Sequence, residues 1–261
     1  MQQSSNTSQG FILPLATLVA IIAAFAVNVW SNLFPLGGLS IGEISNTFFK
    51  DVLIIPANYA FAIWGLIYLG LFTFGIYQIL PSQRNNPYLR KAGLLIIIAS
   101  IAQIAWVYLF LSRMFVLSVV AMLVILVSLI GAVVQLRSST NTTTRGYKWY
   151  ACIPISIYLG WISVATIVNV ASALVVSNWN GWGISPTTWT IIMVLVATIL
   201  ASFMTTRYQD IPYSGVTIWA LIAIAIRQSN NIALLTVAIS CAIACLIVII
   251  MQVRSLNTYR V

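Results

Sequence analysis

Apolar positions in this chain come in long runs, separated by short stretches rich in Asn, Ser, Thr, Pro and basic residues. A helix needs about 20 such residues to cross roughly 30 Å of hydrocarbon. Runs of that kind fall at 11–30, 56–80, 92–112, 115–136, 149–175, 188–206, 211–227 and 231–252. They predict an all-α, polytopic transmembrane helical bundle of about eight helices. The seventh run is short and the turn after it, "RQSNN" at 227–231, is tight, which leaves seven spans and one re-entrant segment as the alternative. The first run follows a polar tail, residues 1–10, that has no basic residue, and no small-residue cleavage site follows the run. It reads as a retained helix and not as a signal peptide.

Charge then orients the bundle. Eight spans put Arg84, Arg90, Lys91, Arg137, Arg145, Lys148, Arg207, Arg254 and Arg260 on one side, and Lys50, Arg113 and Arg227 on the other. Basic residues accumulate on the cytoplasmic side of membrane proteins, so both termini are expected there. A prokaryotic inner membrane fits this orientation, with an organelle membrane as the alternative. Twelve Lys and Arg against three Asp and Glu give a net charge of +9. The cations sit singly or in pairs between apolar runs, the pattern of orienting loops and not of a nucleic-acid surface. With 61% hydrophobic and 6% charged residues and a mean hydropathy of +1.02, the chain is no soluble domain. The lipid bilayer is its first partner.

The chain has no histidine. That removes the usual haem ligand, zinc ligand and general base. Cys152, Cys241 and Cys245 lie in apolar runs, where they read as small hydrophobes; no metal site is expected. "NTS" at 6 and "NTT" at 141 match the glycosylation acceptor pattern, but both fall on the expected cytoplasmic side. "IWGLI" at 63–67 and "IWALI" at 218–222 resemble one another without making a repeat.

Two outer connections stand apart from the short ones: the semi-apolar 31–55, with Pro35 and Gly37–Gly38, and 176–187. A long connection is either a lid or binding element or an interfacial segment lying on the membrane, and both readings stay open for 31–55. Of nine tryptophans, Trp30, Trp149, Trp179, Trp182 and Trp189 suit the aromatic belt at the membrane interface. Trp64, Trp106, Trp161 and Trp219 lie near the middle of their runs and need another explanation. Trp64, Trp106, Asn28 and Asn169 converge in depth in the outer half, beneath loop 31–55. Indoles, phenols and carboxamides in hydrocarbon need partners, so they either bond helices together or line a pocket. Such a pocket would be flat-walled, aromatic and uncharged, suited to a planar apolar ligand.

The motifs "W64-G-L-I-Y68", "Q103-I-A-W106" and "Y158-L-G-W161-I-S-V-A165-T-I-V-N169" resemble, in order, those of the translocator protein or tryptophan-rich sensory protein (TspO/MBR) family on its helices two, three and five. Gln103 stands where that family carries Asn. The resemblance covers about residues 11–176, a five-helix unit with its long loop 31–55, and leaves 188–253 as additional transmembrane helices. It implies a membrane protein that binds porphyrins and other hydrophobic ligands, such as sterols, beneath the loop. It also implies ligand-binding roles for Trp64, Tyr68, Gln103, Trp106, Tyr158, Trp161, Ala165 and Asn169; Phe61, one residue off the family's aromatic position, joins the expected set.

The first functional reading is an integral membrane binding protein, sensor or translocator-like, for a planar hydrophobic small molecule such as a porphyrin or other tetrapyrrole, or a sterol-like lipid. A bound tetrapyrrole is the one cofactor considered, held by shape and stacking. The alternatives are a secondary transporter or facilitator of an apolar solute, and a structural subunit of a larger membrane complex, with a homodimer also open. Coupled carriers keep carboxylates within the membrane, whereas Glu43, Asp51 and Asp210 fall in loops or at helix ends. An enzyme is the least supported reading, for want of a nucleophile–base pair, metal cluster or phosphate loop.

Overall fold

A computed structural model of the chain describes residues 2–139 and 144–258, with side chains described over 10–139 and 144–255. The acceptor pattern at Asn141 and the cation Arg260 lie outside the described residues, and the side chain of Asn6 outside the described side chains. Among the described residues there are nine helices of eight residues or more and no strand. They are α1 (Gln2–Leu33), α2 (Ile41–Phe48), α3 (Ile63–Ile79), α4 (Pro87–Leu111), α5 (Phe115–Arg137), α6 (Ile153–Val176), α7 (Pro186–Tyr208), α8 (Ile211–Arg227) and α9 (Ile232–Thr258).

Each apolar run is helical because backbone N–H and C=O groups in hydrocarbon have no water to bond and must pair within their own segment. Seven of the helical segments among the described residues are long and apolar enough to cross a membrane, so the chain is an integral, multi-pass membrane protein in contact with lipid. The eighth, α8, is one unbroken helix of 17 residues; at 1.5 Å per residue it extends about 26 Å, near the lower limit for a span. Polar punctuation sets the helix starts. Asn86 accepts from the backbone N–H groups of Tyr88 and Leu89 ahead of α4, Ser185 accepts from Thr188 ahead of α7, and Asp210 accepts from Tyr213 ahead of α8. A proline follows each cap within two residues, where its missing N–H costs nothing.

The chain divides into two compact units. The first comprises residues 1–41 and 63–159. Here α1 packs against α3 and α4, and α4 packs along α5. Gly93 marks the tightest approach: a Cβ there would stand 2.5 Å from Gln78 Oε1 and 2.8 Å from Thr17 Oγ1. A side chain there would force the Gln78 amide or the Thr17 hydroxyl to shift. The entry to α6 belongs to this unit and is irregular. A single helical turn, Arg145–Tyr147, leads into a π-helical stretch, Lys148–Cys152, before the α-helix proper. The buried Tyr147 ties this entry to the end of α5 by donating to Leu136 O at 3.2 Å.

The second unit comprises residues 42–62 and 160–261. Within it α9 packs against α7 and α8. Gly160 lies so close to α8 that a Cβ would stand 3.0 Å from Tyr213 O. Hydroxyls knit α7 to α8: Ser214 donates to Ala201 O at 2.7 Å and pairs with the Thr205 hydroxyl.

The outer segment 31–55 is largely ordered secondary structure. It contains the turn Leu36–Gly38 and the helix α2, and a further turn, Asn58–Ala62, leads into α3. Ile44, Phe49, Val52, Ile54 and Ile55 are buried, whereas Leu33, Phe34, Leu36 and Phe48 are exposed, so the segment packs partly on protein and keeps apolar surface outside. The other outer connection is equally ordered. Trp179, Trp182 and Trp189 pack ring to ring at 5.3–6.1 Å, and the Trp189 indole donates to Gly181 O at 2.9 Å.

Candidate ligand-binding site

The nine residues that the sequence assigns to one pocket fall into two groups, one per unit. Trp64, Tyr68, Gln103, Trp106 and Tyr158 belong to the first unit; Phe61, Trp161, Ala165 and Asn169 belong to the second.

In the first unit, Trp64 and Tyr68 stand one helical turn apart on α3. Their rings stack at 5.6 Å with an interplanar angle of 29°. Tyr158, from the start of α6, meets the Trp64 ring edge-on at 5.9 Å and 64°. Two phenol rings therefore pack on Trp64, and Tyr158 and Tyr68 are buried while Trp64 is half-buried. The phenols are held from behind. Tyr68 Oη donates to Ala24 O on α1 at 3.2 Å, and Phe25 of the same helix meets the Tyr68 ring edge-on at 5.1 Å. Tyr158 Oη donates to Gln103 Oε1 on α4 at 3.4 Å.

That last bond leaves the other half of the amide. Gln103 is 1% exposed, and its Nε2 has no hydrogen-bond partner. A buried polar group left unpaired costs about 1–3 kcal/mol, so such groups are uncommon and call for a reason. In Gln103 the reason is directional: Tyr158 occupies the acceptor and so orients the amide with its donor unused. Trp106, one turn along α4 from Gln103, is buried and stacks on Phe110 at 5.1 Å, which in turn meets Phe115 edge-on at 5.2 Å.

In the second unit, Phe61 meets Trp161 edge-on at 6.0 Å and 82°. Trp161, Ala165 and Asn169 follow one another at four-residue spacing on α6, hence along one face; Trp161 and Asn169 are buried and Ala165 half-buried.

Sequence reasoning missed the residues that hold the outer segment. Arg227, at the end of α8, donates to Asn46 Oδ1 at 2.9 Å and approaches Pro56 O at 3.5 Å. Gln228 Nε2 donates to Leu53 O at 2.8 Å, and Ala57 N–H donates to Ala223 O at 3.0 Å. Trp219 belongs to the same clamp: its indole donates to Ala60 O at 3.1 Å, and its ring meets Tyr59 edge-on at 5.1 Å. Its position within an apolar run thus has a local explanation. The one signal in the sequence is that Arg227 is among the few cations on the side expected to be outer and is followed by the amide-rich "QSNN". Below this clamp is an apolar cavity of about 10 Å³, lined by Ile54 together with Val164, Met193, Ala197, Leu221 and others. It is no larger than one water, too small for a planar ligand, and its lining offers little to hydrogen-bond.

Among the described residues no group of three or more His, Cys, Asp or Glu could hold a metal ion. A family model described as "TSPO-like protein" matches residues 14–252, so the match continues through α7 and α8 and into α9. No curated protein and no solved structure matches the chain.

Proposed function

The chain belongs to the TSPO-like protein family, and on that premise we propose that it is a membrane binding protein, sensor or translocator-like, for a planar hydrophobic ligand such as a porphyrin, another tetrapyrrole or a sterol-like lipid. The observation that carries this reading is the Gln103 donor, buried and unpaired on an amide whose oxygen accepts from Tyr158, the ring that meets Trp64 edge-on. Aromatic faces contribute stacking area, and one fixed donor selects a ligand bearing an acceptor at its edge. A tetrapyrrole fits this chemistry through its flat apolar ring and its carboxylate or carbonyl substituents. With no histidine in the chain, the ligand is held by stacking and by the amide, not by an imidazole on its metal. Trp106 supports the amide from the next turn of α4.

For the second group we propose a supporting role inside its own unit, with Phe61 against Trp161 anchoring the outer segment to α6. The additional helices, 188–253, then serve the same segment through Trp219 and Arg227. The carboxylates lie at helix ends or outside the long helices: Glu43 lies in α2, Asp51 in the segment 31–55, and the buried Asp210 caps α8.

The test is tryptophan fluorescence of the full chain in detergent, titrated with protoporphyrin, for the wild type and Trp64→Leu. Saturable quenching that weakens in the variant supports the reading. Non-saturable quenching, or identical curves, makes the ring cluster a packing device only.

A further inference from the structure

The entry to α6 presents a second site, independent of the ligand reading above. We propose that it binds the phosphate headgroup of an anionic glycerophospholipid from the cytoplasmic leaflet. A groove of about 430 Å³ lies there, lined by Arg145, Gly146, Trp149 and Tyr150. Three features of the first unit converge on it.

The first feature is local geometry. The π-helical stretch Lys148–Cys152 interrupts the regular helix where the groove opens, and such widened turns are found at functional sites more than elsewhere. The stretch is firmly seated, because Tyr147 is fully buried and bonded to the end of α5, and Tyr150 packs against Tyr77 of α3 at 5.6 Å. The groove is therefore built on fixed backbone.

The second is its lining. Trp149 is 56% exposed and Tyr150 is 49% exposed, at the end of a membrane span, the depth at which Trp and Tyr rings sit among headgroups. Arg145 adds a planar guanidinium that pairs with phosphate through two parallel hydrogen bonds. Lys148, also exposed, adds a second cation on the following turn. The helices packed on this stretch, α3 and α5, expose Ile76 and Val134, apolar surface of the kind an acyl chain covers.

The third is charge balance. All three carboxylate residues of the chain, Glu43, Asp51 and Asp210, belong to the second unit. Arg145 and Lys148 thus have no Asp or Glu within their own unit to pair with. The cytoplasmic leaflet supplies counter-charge as anionic lipid, which draws in clustered Lys and Arg at the membrane surface.

The experiment uses the full chain in lipid nanodiscs containing brominated phosphatidylglycerol or brominated phosphatidylcholine, bromine being a short-range quencher of indole. The share of Trp149 is the difference between the wild type and Trp149→Phe. The proposal expects that share to be half-quenched at a roughly fivefold lower mole fraction of the anionic lipid than of the zwitterionic one. Arg145→Gln abolishes the preference, and Arg145→Lys keeps part of it. Both positions are exposed, and unchanged helicity by circular dichroism confirms that each variant is folded. Equal quenching by the two lipids, or a preference that survives Arg145→Gln, overturns the proposal. Loss of the preference in tens of millimolar inorganic phosphate, but not in chloride of matched ionic strength, overturns it too, by showing an anion site without a lipid requirement.

Discussion

Replacing Arg227 by alanine tests whether the outer segment is held by the end of α8. Of its two contacts, the 2.9 Å bond to Asn46 Oδ1 is well inside hydrogen-bond range and the 3.5 Å approach to Pro56 O is at its edge. A hydrogen bond with one charged partner contributes about 1.5–3 kcal/mol. Arg227 is only half-buried, so water competes for it and the low end applies, about 1.5 kcal/mol. That corresponds to roughly tenfold in the equilibrium for local opening. The bonds from Gln228 to Leu53 and from Ala57 to Ala223 remain, so the segment stays folded but opens more often. Hydrogen–deuterium exchange of the full chain in nanodiscs, read by mass spectrometry on peptides from residues 44–57, measures this directly. The expected result is exchange about tenfold faster in that segment, with α4 and α5 unchanged. Unaltered exchange there, or a rise spread evenly over the chain, refutes the clamp.

Three further substitutions have defined outcomes. Gly93→Ala places a Cβ 2.5 Å from Gln78 Oε1 and 2.8 Å from Thr17 Oγ1, and is expected to destabilise the first unit by about 1–3 kcal/mol, seen as a lower unfolding temperature in detergent; an unchanged temperature would mean that the helices separate freely there. Trp219→Phe keeps a ring against Tyr59 but removes the donor to Ala60 O, costing about 1 kcal/mol and raising exchange at 58–62 without global unfolding. Tyr158→Phe removes the hydroxyl that orients Gln103, so protoporphyrin affinity falls while Trp64 quenching at saturation stays, because the ring stack remains; an unchanged affinity shows that the amide is oriented by something else.

The helices were legible in the sequence because each is decided locally. A long apolar run in hydrocarbon must satisfy its own backbone, and every one of the eight runs is helical, with caps at Asn86, Ser185 and Asp210 where polar residues and proline punctuate the chain. The helix α2 was less visible, since "IGEISNTF" is short and only half apolar; what buries Ile44 is tertiary packing. The π-helical entry to α6 leaves no mark that composition or periodicity can detect. The candidate site was proposed from residue types, and the sequence held little of how they are arranged. Spacing on α3 correctly joins Trp64 to Tyr68, and the pairing of Tyr158 with Gln103 spans 55 positions, which only the fold could reveal. Depth alone likewise left Trp219 without an explanation, whereas its partner Ala60 is 159 positions away.

The central claim is that the unpaired Gln103 donor belongs to a ligand site. It is tested most directly by Gln103→Leu in the full chain, titrated with protoporphyrin and followed by the shift of the porphyrin's Soret absorption band. The substitution keeps the side-chain bulk and deletes the amide. The account predicts a dissociation constant roughly tenfold higher, the equivalent of one hydrogen bond of about 1.4 kcal/mol, in a protein whose helicity is unchanged. An unchanged dissociation constant would contradict it and leave Gln103 as a residue of the helix interface alone.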